Sequence, residues 1–247
     1  MLRCFRVVLD LLACPDLNKG PVCRIIVDIL EIFMNIEMVR KLAEREEIDY
    51  QFLLSTLSEY AHPRDKISEW LKSGNLIRVK KGLYVFGEHI ALTPYSHEIL
   101  ANLIYGPSAI SLSYALAFYG LIPERVMTIT SITNKRNKSF STPVGEFTYK
   151  YLSPTKYPVG IELSDGSNHH FLIASPEKAL CDHIHLSDKK VILKDMDSVN
   201  AYLFHDMRID ETALRSLKIN NLSEICRIYA DDRLTLLSTF IKKWKKS

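Results

Sequence analysis

Between Pro63 and Gly87 the chain carries Arg64, Lys66, Lys72, Arg78, Lys80 and Lys81 against only Asp65 and Glu69, a local charge of +4 in a protein whose net charge is +3. Cations gathered in one tenth of a chain are the chemistry of polyanion contact, because each one that meets a phosphate releases a condensed counterion. The residue types divide that work. Arg64 has the planar fork that matches guanine O6 and N7, so it is the candidate for base readout; Lys80 and Lys81 are point charges suited to phosphate. Lys66, Ser68 and Lys72 share the polar side of the same helical stretch with Arg64, and Arg78 lies on the strand that follows. Phe52, Trp70 and Phe86 fall at core spacing and are expected to pack, which leaves Tyr84 as the aromatic residue available to a ligand. The competing reading is that a charged helix face is merely solvated; the basic hairpin attached directly to it favours nucleic acid.

Two further stretches are positive. Lys135, Arg136, Lys138 and Lys150 against Glu146 give +3 between Thr133 and Lys150, and Lys242-Lys243-Trp244-Lys245-Lys246 adds +4, leaving −8 on the remainder. Lys135, Arg136 and Lys138, with Asn134 and Asn137, fall between two expected strands and read as an exposed loop. Secondary phosphate contact, partner contact and simple solvation all remain open for it. The tail lysines read as solubilising.

Other chemistry is thin. Cys181, Asp182, His183 and His185, with His169-His170 upstream, are the residues closest to a metal-ligand cluster. Cys181 and His185 share a helix face at i, i+4 but His183 points elsewhere, so a buried thiol with surface histidines is the expected arrangement. No phosphate-binding glycine loop, nucleophile elbow, H-E-x-x-H helix or dinucleotide fingerprint is present, so no catalytic residue, metal or cofactor is assigned.

The elements that must position the basic residues follow from the periodicity. Helices are expected over Ile36–Glu46, over Tyr50–Tyr60 with Asp49 as N-cap, and from Pro63, where Ile67, Trp70 and Leu71 share one face before Gly74 ends the helix. Leu76–Val79 and Leu83–Phe86 then alternate around Lys80-Lys81-Gly82 as a hairpin. Three helices and a basic hairpin predict a winged helix-turn-helix over residues 34–90. Beyond it, residues 91–247 predict a larger mixed domain, so the fold class is α+β. Helices are expected over Tyr95–Ile104, capped by Thr93-Pro94, and over Ser108–Tyr119. Strands follow at Val126–Thr130, around Phe147–Tyr151, at Val159–Leu163 and at His170–Ile173. Ser175-Pro176 then caps a helix running to about His185, and further helical segments fall near Ser198, Glu211, Leu222 and Arg233. Residues 1–33 hold at best one short helix, Val22–Phe33; with Met34 and Met38 as alternative starts, they read as an upstream extension.

Composition sets the outer bounds. With 247 residues, 47% hydrophobic and 25% charged, the chain can bury a sizeable core and is neither disordered nor fibrous. Five cysteines without a C-x-x-C pair fit a reducing cytosol rather than a disulfide framework. The N-terminus lacks a signal-peptide pattern, because Arg6 and Asp10 interrupt its apolar stretch. The uncharged run from Ile99 to Pro123 is broken by Gly106-Pro107 and several serines, so it reads as two buried helices around a turn and not as a membrane span.

Several motifs in order carry a resemblance: Pro63-Arg64-Asp65-Lys66-Ile67, Ile77 through Gly87, Ile104-Tyr105-Gly106-Pro107-Ser108, Tyr119 through Val126, and Ala174-Ser175-Pro176-Glu177-Lys178-Ala179-Leu180. Over Asp49 to Asp210 the chain resembles the AbiEi antitoxin family of type IV toxin–antitoxin systems. The resemblance implies a winged-helix head that binds inverted repeats in its own double-stranded operator and represses its operon. It also implies a larger domain associated with neutralising a nucleotidyltransferase-type toxin. The DNA contacts would fall on Arg64, Lys66, Lys72, Arg78, Lys80 and Lys81. Ser175-Pro176-Glu177-Lys178 is then a family signature whose physics here is that of a helix cap. Residues 1–33 have no counterpart in the family. The alternatives are a stand-alone regulator, a protein-interaction module, or an enzyme targeted to nucleic acid.

Overall fold

Ile67 and Trp70 lie one turn apart on a stretch that begins at Pro63, and burying that apolar edge leaves the basic edge in water. The computed structural model, which describes residues 35–165, 170–187 and 192–246, has this arrangement. The extension 1–33 and its expected helix lie outside the described residues. The chain divides into two compact units between Tyr95 and Ser96. Helices and sheets are mixed in both, so the fold is α+β.

The first unit runs α1 (Ile36–Leu42), β1 (Glu47–Asp49), α2 (Tyr50–Thr56), α3 (Pro63–Lys72), β2 (Leu76–Lys80) and β3 (Leu83–Phe86). Its antiparallel sheet has the order β1-β3-β2. Leu53, Leu57, Ile67, Trp70, Leu76 and Phe86 form the centre of its core. Asn35 and Asp49 cap α1 and α2 through their side chains, and proline opens α3. Gly82 takes φ +88 at the β2–β3 turn, and a Cβ on Gly87 would stand 2.0 Å from the Gly74 carbonyl oxygen, so both positions call for glycine.

The first helix is shorter than its periodicity predicts. It stops at Leu42, and Glu46 turns inward to an ion pair with Arg40 at 2.5 Å. The same Glu46 oxygen accepts from the main-chain amides of Leu92 and Thr93, and Arg40 also donates to the Ala43 carbonyl. Glu47–Asp49 then pairs with β3 as a strand too short for periodicity to reveal. The second helix likewise ends at Thr56, four residues early.

The second unit opens with α4 (His97–Ile104), β4 (Ser108–Ile110) and α5 (Leu112–Phe118). Ser96, not Thr93-Pro94, caps α4. Ser108–Ile110, expected as helix, is a buried strand between β5 (Ile129–Thr133) and β9 (His170–Ala174); α5 begins only after Ser111. The sheet continues with β6 (Lys138–Thr142), β7 (Gly145–Tyr151) and β8 (Ile161–Asp165) in the order β6-β7-β5-β4-β9-β8. The strand expected at Val126–Thr130 is β5, displaced three residues onward.

After the sheet come α6 (Pro176–Leu186), α7 (Met196–Ala201) with a π turn at Tyr202–Asp206, α8 (Glu211–Ser216), α9 (Ile219–Tyr229) and α10 (Asp232–Trp244). Ser175 caps α6 by accepting from the Lys178 amide, as the Ser-Pro pair predicts. No helix among the described residues is long and apolar enough to cross a membrane.

The helices of the second unit meet at a buried polar cluster. Lys178 is fully buried and donates to the Tyr229 hydroxyl at 2.7 Å and to the Lys156 carbonyl at 3.1 Å; its ammonium is 3.5 Å from Asp182. Asp182 also accepts from Ser111 at 2.6 Å and from the Tyr229 hydroxyl. Burial presses the Lys178 ammonium below its usual range and the Asp182 carboxyl above its own, while their attraction and these hydrogen bonds oppose it. Glu177 accepts from the Lys218 amide at 2.5 Å and so holds the start of α9. The Ser175–Lys178 motif is therefore built into the joint between α6 and its neighbours.

Candidate nucleic-acid interface

The ten residues of α3 span about 15 Å, enough to lie along a groove. Its buried edge is Ile67 and Trp70; Arg64, Ser68 and Lys72 are exposed on the other side. On the hairpin, Arg78 and Lys81 are exposed and Lys80 is half-buried. The side chains of Arg64, Lys72, Arg78 and Lys81 make no hydrogen bond or ion pair with another described residue. These four cations are thus solvated within one unit, on elements whose opposite sides form its core.

Three residues selected by the sequence depart from that picture. Tyr84 is 6% exposed and belongs to the core, because β3 is the central strand and all four of its side chains are buried. Its expected availability to a ligand is corrected accordingly. Lys66 pairs with Glu69 at 3.0 Å and lies 5.9 Å from the centre of the Trp70 ring, so its charge is partly spent within its own helix. The Ser68 hydroxyl donates back to the Arg64 carbonyl at 2.9 Å, leaving only its lone pairs for a ligand.

The second basic strip is arranged differently. Asn134–Asn137 is the loop, whereas Lys138 opens the edge strand β6, a strand too polar to read from the sequence. Lys135 and Lys138 each stand 5.6 Å from the centre of the Tyr105 ring, and Lys138 is 4.9 Å from that of Phe140. Lys135 also donates to the Gly106 carbonyl at 2.5 Å, and the Arg136 carbonyl accepts from the Tyr105 hydroxyl at 3.3 Å. Tyr105, Phe140 and Tyr149 pack edge to face or tilted beneath these lysines, with centroids 5.3–5.9 Å apart. The strip is exposed, but its two lysines are held by rings and a carbonyl of their own unit.

The tail is also engaged in part: Lys245 donates to the Leu217 carbonyl at 2.7 Å, and the Arg215 guanidinium lies 4.4 Å from the Trp244 ring centre. The cysteine–histidine cluster is dispersed. Cys181 faces Cys226, His183 approaches Ser113, and His185 bonds Asp231 at 2.8 Å; His169 lies outside the described residues. No group of three or more metal-binding side chains comes together among the described residues.

The residues missed by sequence reasoning are the buried charges. Arg40, Glu46, Lys178 and Asp182 sit among ordinary helical polar positions, and only the Lys178–Asp182 spacing of four residues signalled a pair. Comparisons of the sequence with protein-family models and with curated proteins return no match.

Proposed function

We propose that this protein is a sequence-specific DNA-binding repressor that reads its operator through a winged helix-turn-helix in the first unit. The element order helix, strand, helix, helix, hairpin supports the winged-helix reading. In it α3 enters the major groove and the β2–β3 tip lies against the adjacent backbone. The observation that carries the reading is the exposure of Arg64, Lys72, Arg78 and Lys81, without side-chain partners among the described residues, on those two elements.

The chemistry divides between readout and anchoring. Arg64, at the first turn of α3, reads guanine with its fork, a contact worth about 1–3 kcal/mol of base discrimination. Lys72, Arg78, Lys80 and Lys81 contact phosphate and set register without carrying sequence information. Four phosphate contacts predict that log K falls with log salt at a slope of about −3.6. Inverted repeats would seat two copies about one helical turn apart, roughly 34 Å.

In the antitoxin reading, supported by the resemblance to the AbiEi family, repression acts on the protein's own operon. The second unit then serves against a nucleotidyltransferase-type toxin. No catalytic step, metal or cofactor is invoked. Fluorescence anisotropy with the protein's own upstream DNA and a scrambled duplex tests the reading across a salt series. Tight, salt-steep binding that prefers the native duplex is expected; equal weak binding to both would overturn it.

A further inference from the structure

Cys181 on α6 and Cys226 on α9 are 45 positions apart in sequence, yet their sulfurs stand 3.9 Å from each other. Both are buried, Cys181 completely and Cys226 at 4% exposure. They face each other across a contact between two helices that Tyr229 and Lys178 also bridge. A disulfide needs about 2.05 Å, so modest side-chain rotation and a small approach of α6 and α9 would close the bond.

We propose that Cys181 and Cys226 form a reversible dithiol–disulfide pair that responds to hydroperoxides and, when oxidised, staples α6 to α9. The two sulfurs are not equivalent. The contact with Cys181 and the charge of Lys242 favour the Cys226 thiolate; burial opposes it. Cys181 is driven the other way by that same contact and by complete burial. Cys226, the less buried sulfur, is therefore the attacking group and Cys181 the resolving one.

The steps balance with hydrogen peroxide as the oxidant. The Cys226 thiolate attacks one peroxide oxygen, the O–O bond breaks, and the departing hydroxide takes up a proton to leave as water, giving a sulfenic acid at Cys226. The Cys181 sulfur then attacks the Cys226 sulfur, its proton leaves with the hydroxyl as a second water, and the S–S bond forms. Two electrons pass from the two sulfurs to the peroxide. The covalent link closes a loop containing α7, α8 and most of α9, restricting the unfolded chain and raising the thermal stability of the second unit. The inference rests on the packing of α6 against α9 and is independent of the DNA-binding proposal.

The test uses the full-length reduced protein treated with near-stoichiometric hydrogen peroxide, followed by non-reducing peptide mapping and thermal unfolding. The expected result is a peptide pair joined through Cys181 and Cys226, a mass loss of 2 Da for that pair, and an unfolding midpoint roughly 5–10 °C higher that returns with dithiothreitol. Cys181→Ser should leave a sulfenic acid on Cys226 that dimedone traps, whereas Cys226→Ser should leave Cys181 unoxidised. Should either serine variant fold poorly, the wild-type peptide map decides alone. Cross-linking confined to Cys4, Cys14 and Cys23, sulfinic acid at Cys226 without a link, or both thiols remaining free at peroxide excess would each overturn the proposal.

Discussion

The cations of Pro63–Gly87 and those of Asn134–Lys138 look alike in the sequence and are used differently in the fold. In the first unit Arg64, Lys72, Arg78 and Lys81 project from α3 and the hairpin with no side-chain partner among the described residues. In the second, Lys135 and Lys138 lie against Tyr105, Phe140 and a carbonyl. A cation already desolvated on one side by its own protein has less to gain from a phosphate than one standing in water. Local net charge therefore nominates both stretches, and the neighbours of each ammonium separate them.

The same contrast extends inward. Each unit contains a buried ion pair that holds elements together: Arg40–Glu46 ties α1 to Leu92 and Thr93, and Lys178–Asp182 joins α6 to α5 and α9. Removing one partner of such a pair leaves a buried charge without compensation and costs about 3–5 kcal/mol. Glu46→Ala and Asp182→Ala should both show losses of that order in denaturant unfolding. They differ in consequence: Glu46→Ala should also abolish DNA binding once the first unit melts. DNA binding that is lost equally with Asp182→Ala, under conditions where the first unit stays folded, would erase the proposed division of labour.

Arg64→Ala tests the readout half of the first surface. It should reduce discrimination between native and scrambled duplex by about 1–3 kcal/mol while leaving the salt slope nearly intact. Lys80→Ala with Lys81→Ala tests the anchoring half, and should weaken binding to every sequence alike. Competition binding distinguishes the two outcomes; equal loss of specificity from both would show that readout and anchoring are not separable here.

Much of this arrangement was legible in the residues. Pro63 and Gly74 bracket α3, Ile67 and Trp70 mark its buried edge, and Gly82 marks the hairpin turn, so local signals agreed with the final contacts. Where local and tertiary signals conflicted, the sequence misled. Ser108–Ile110 reads as helix within an apolar run, but it is strand because β5 and β9 flank it and bury it on both sides. Tyr84 reads as available because Phe52, Trp70 and Phe86 take the core spacing, but β1, a strand of only three residues, pairs with β3 and makes it the central strand. Lys138 reads as loop because β6 exposes most of its side chains as an edge strand.

A smaller effect concerns pH in the second unit. Burial works to raise the Asp231 carboxyl, but hydrogen bonds from Arg233 and His185 outweigh it and hold the group at about 2, below the ordinary 3.8. A carboxyl depressed by folding contributes stability above its unfolded value and loses it as pH falls through the folded one. Acid titration followed by the unfolding midpoint should show this contribution fading from about pH 4 to pH 2, and Asp231→Asn should flatten that limb. An unchanged limb in the variant would place the acid sensitivity elsewhere.

The most direct test of where DNA is held compares salt slopes for three proteins on the same duplex. The wild type should give a slope of about −3.6, and Lys80→Ala with Lys81→Ala a slope shallower by about 2. Lys135→Ala with Lys138→Ala should leave slope and affinity as in the wild type. A slope that flattens with the second pair and not with the first would move the DNA contact to the second unit and contradict the account.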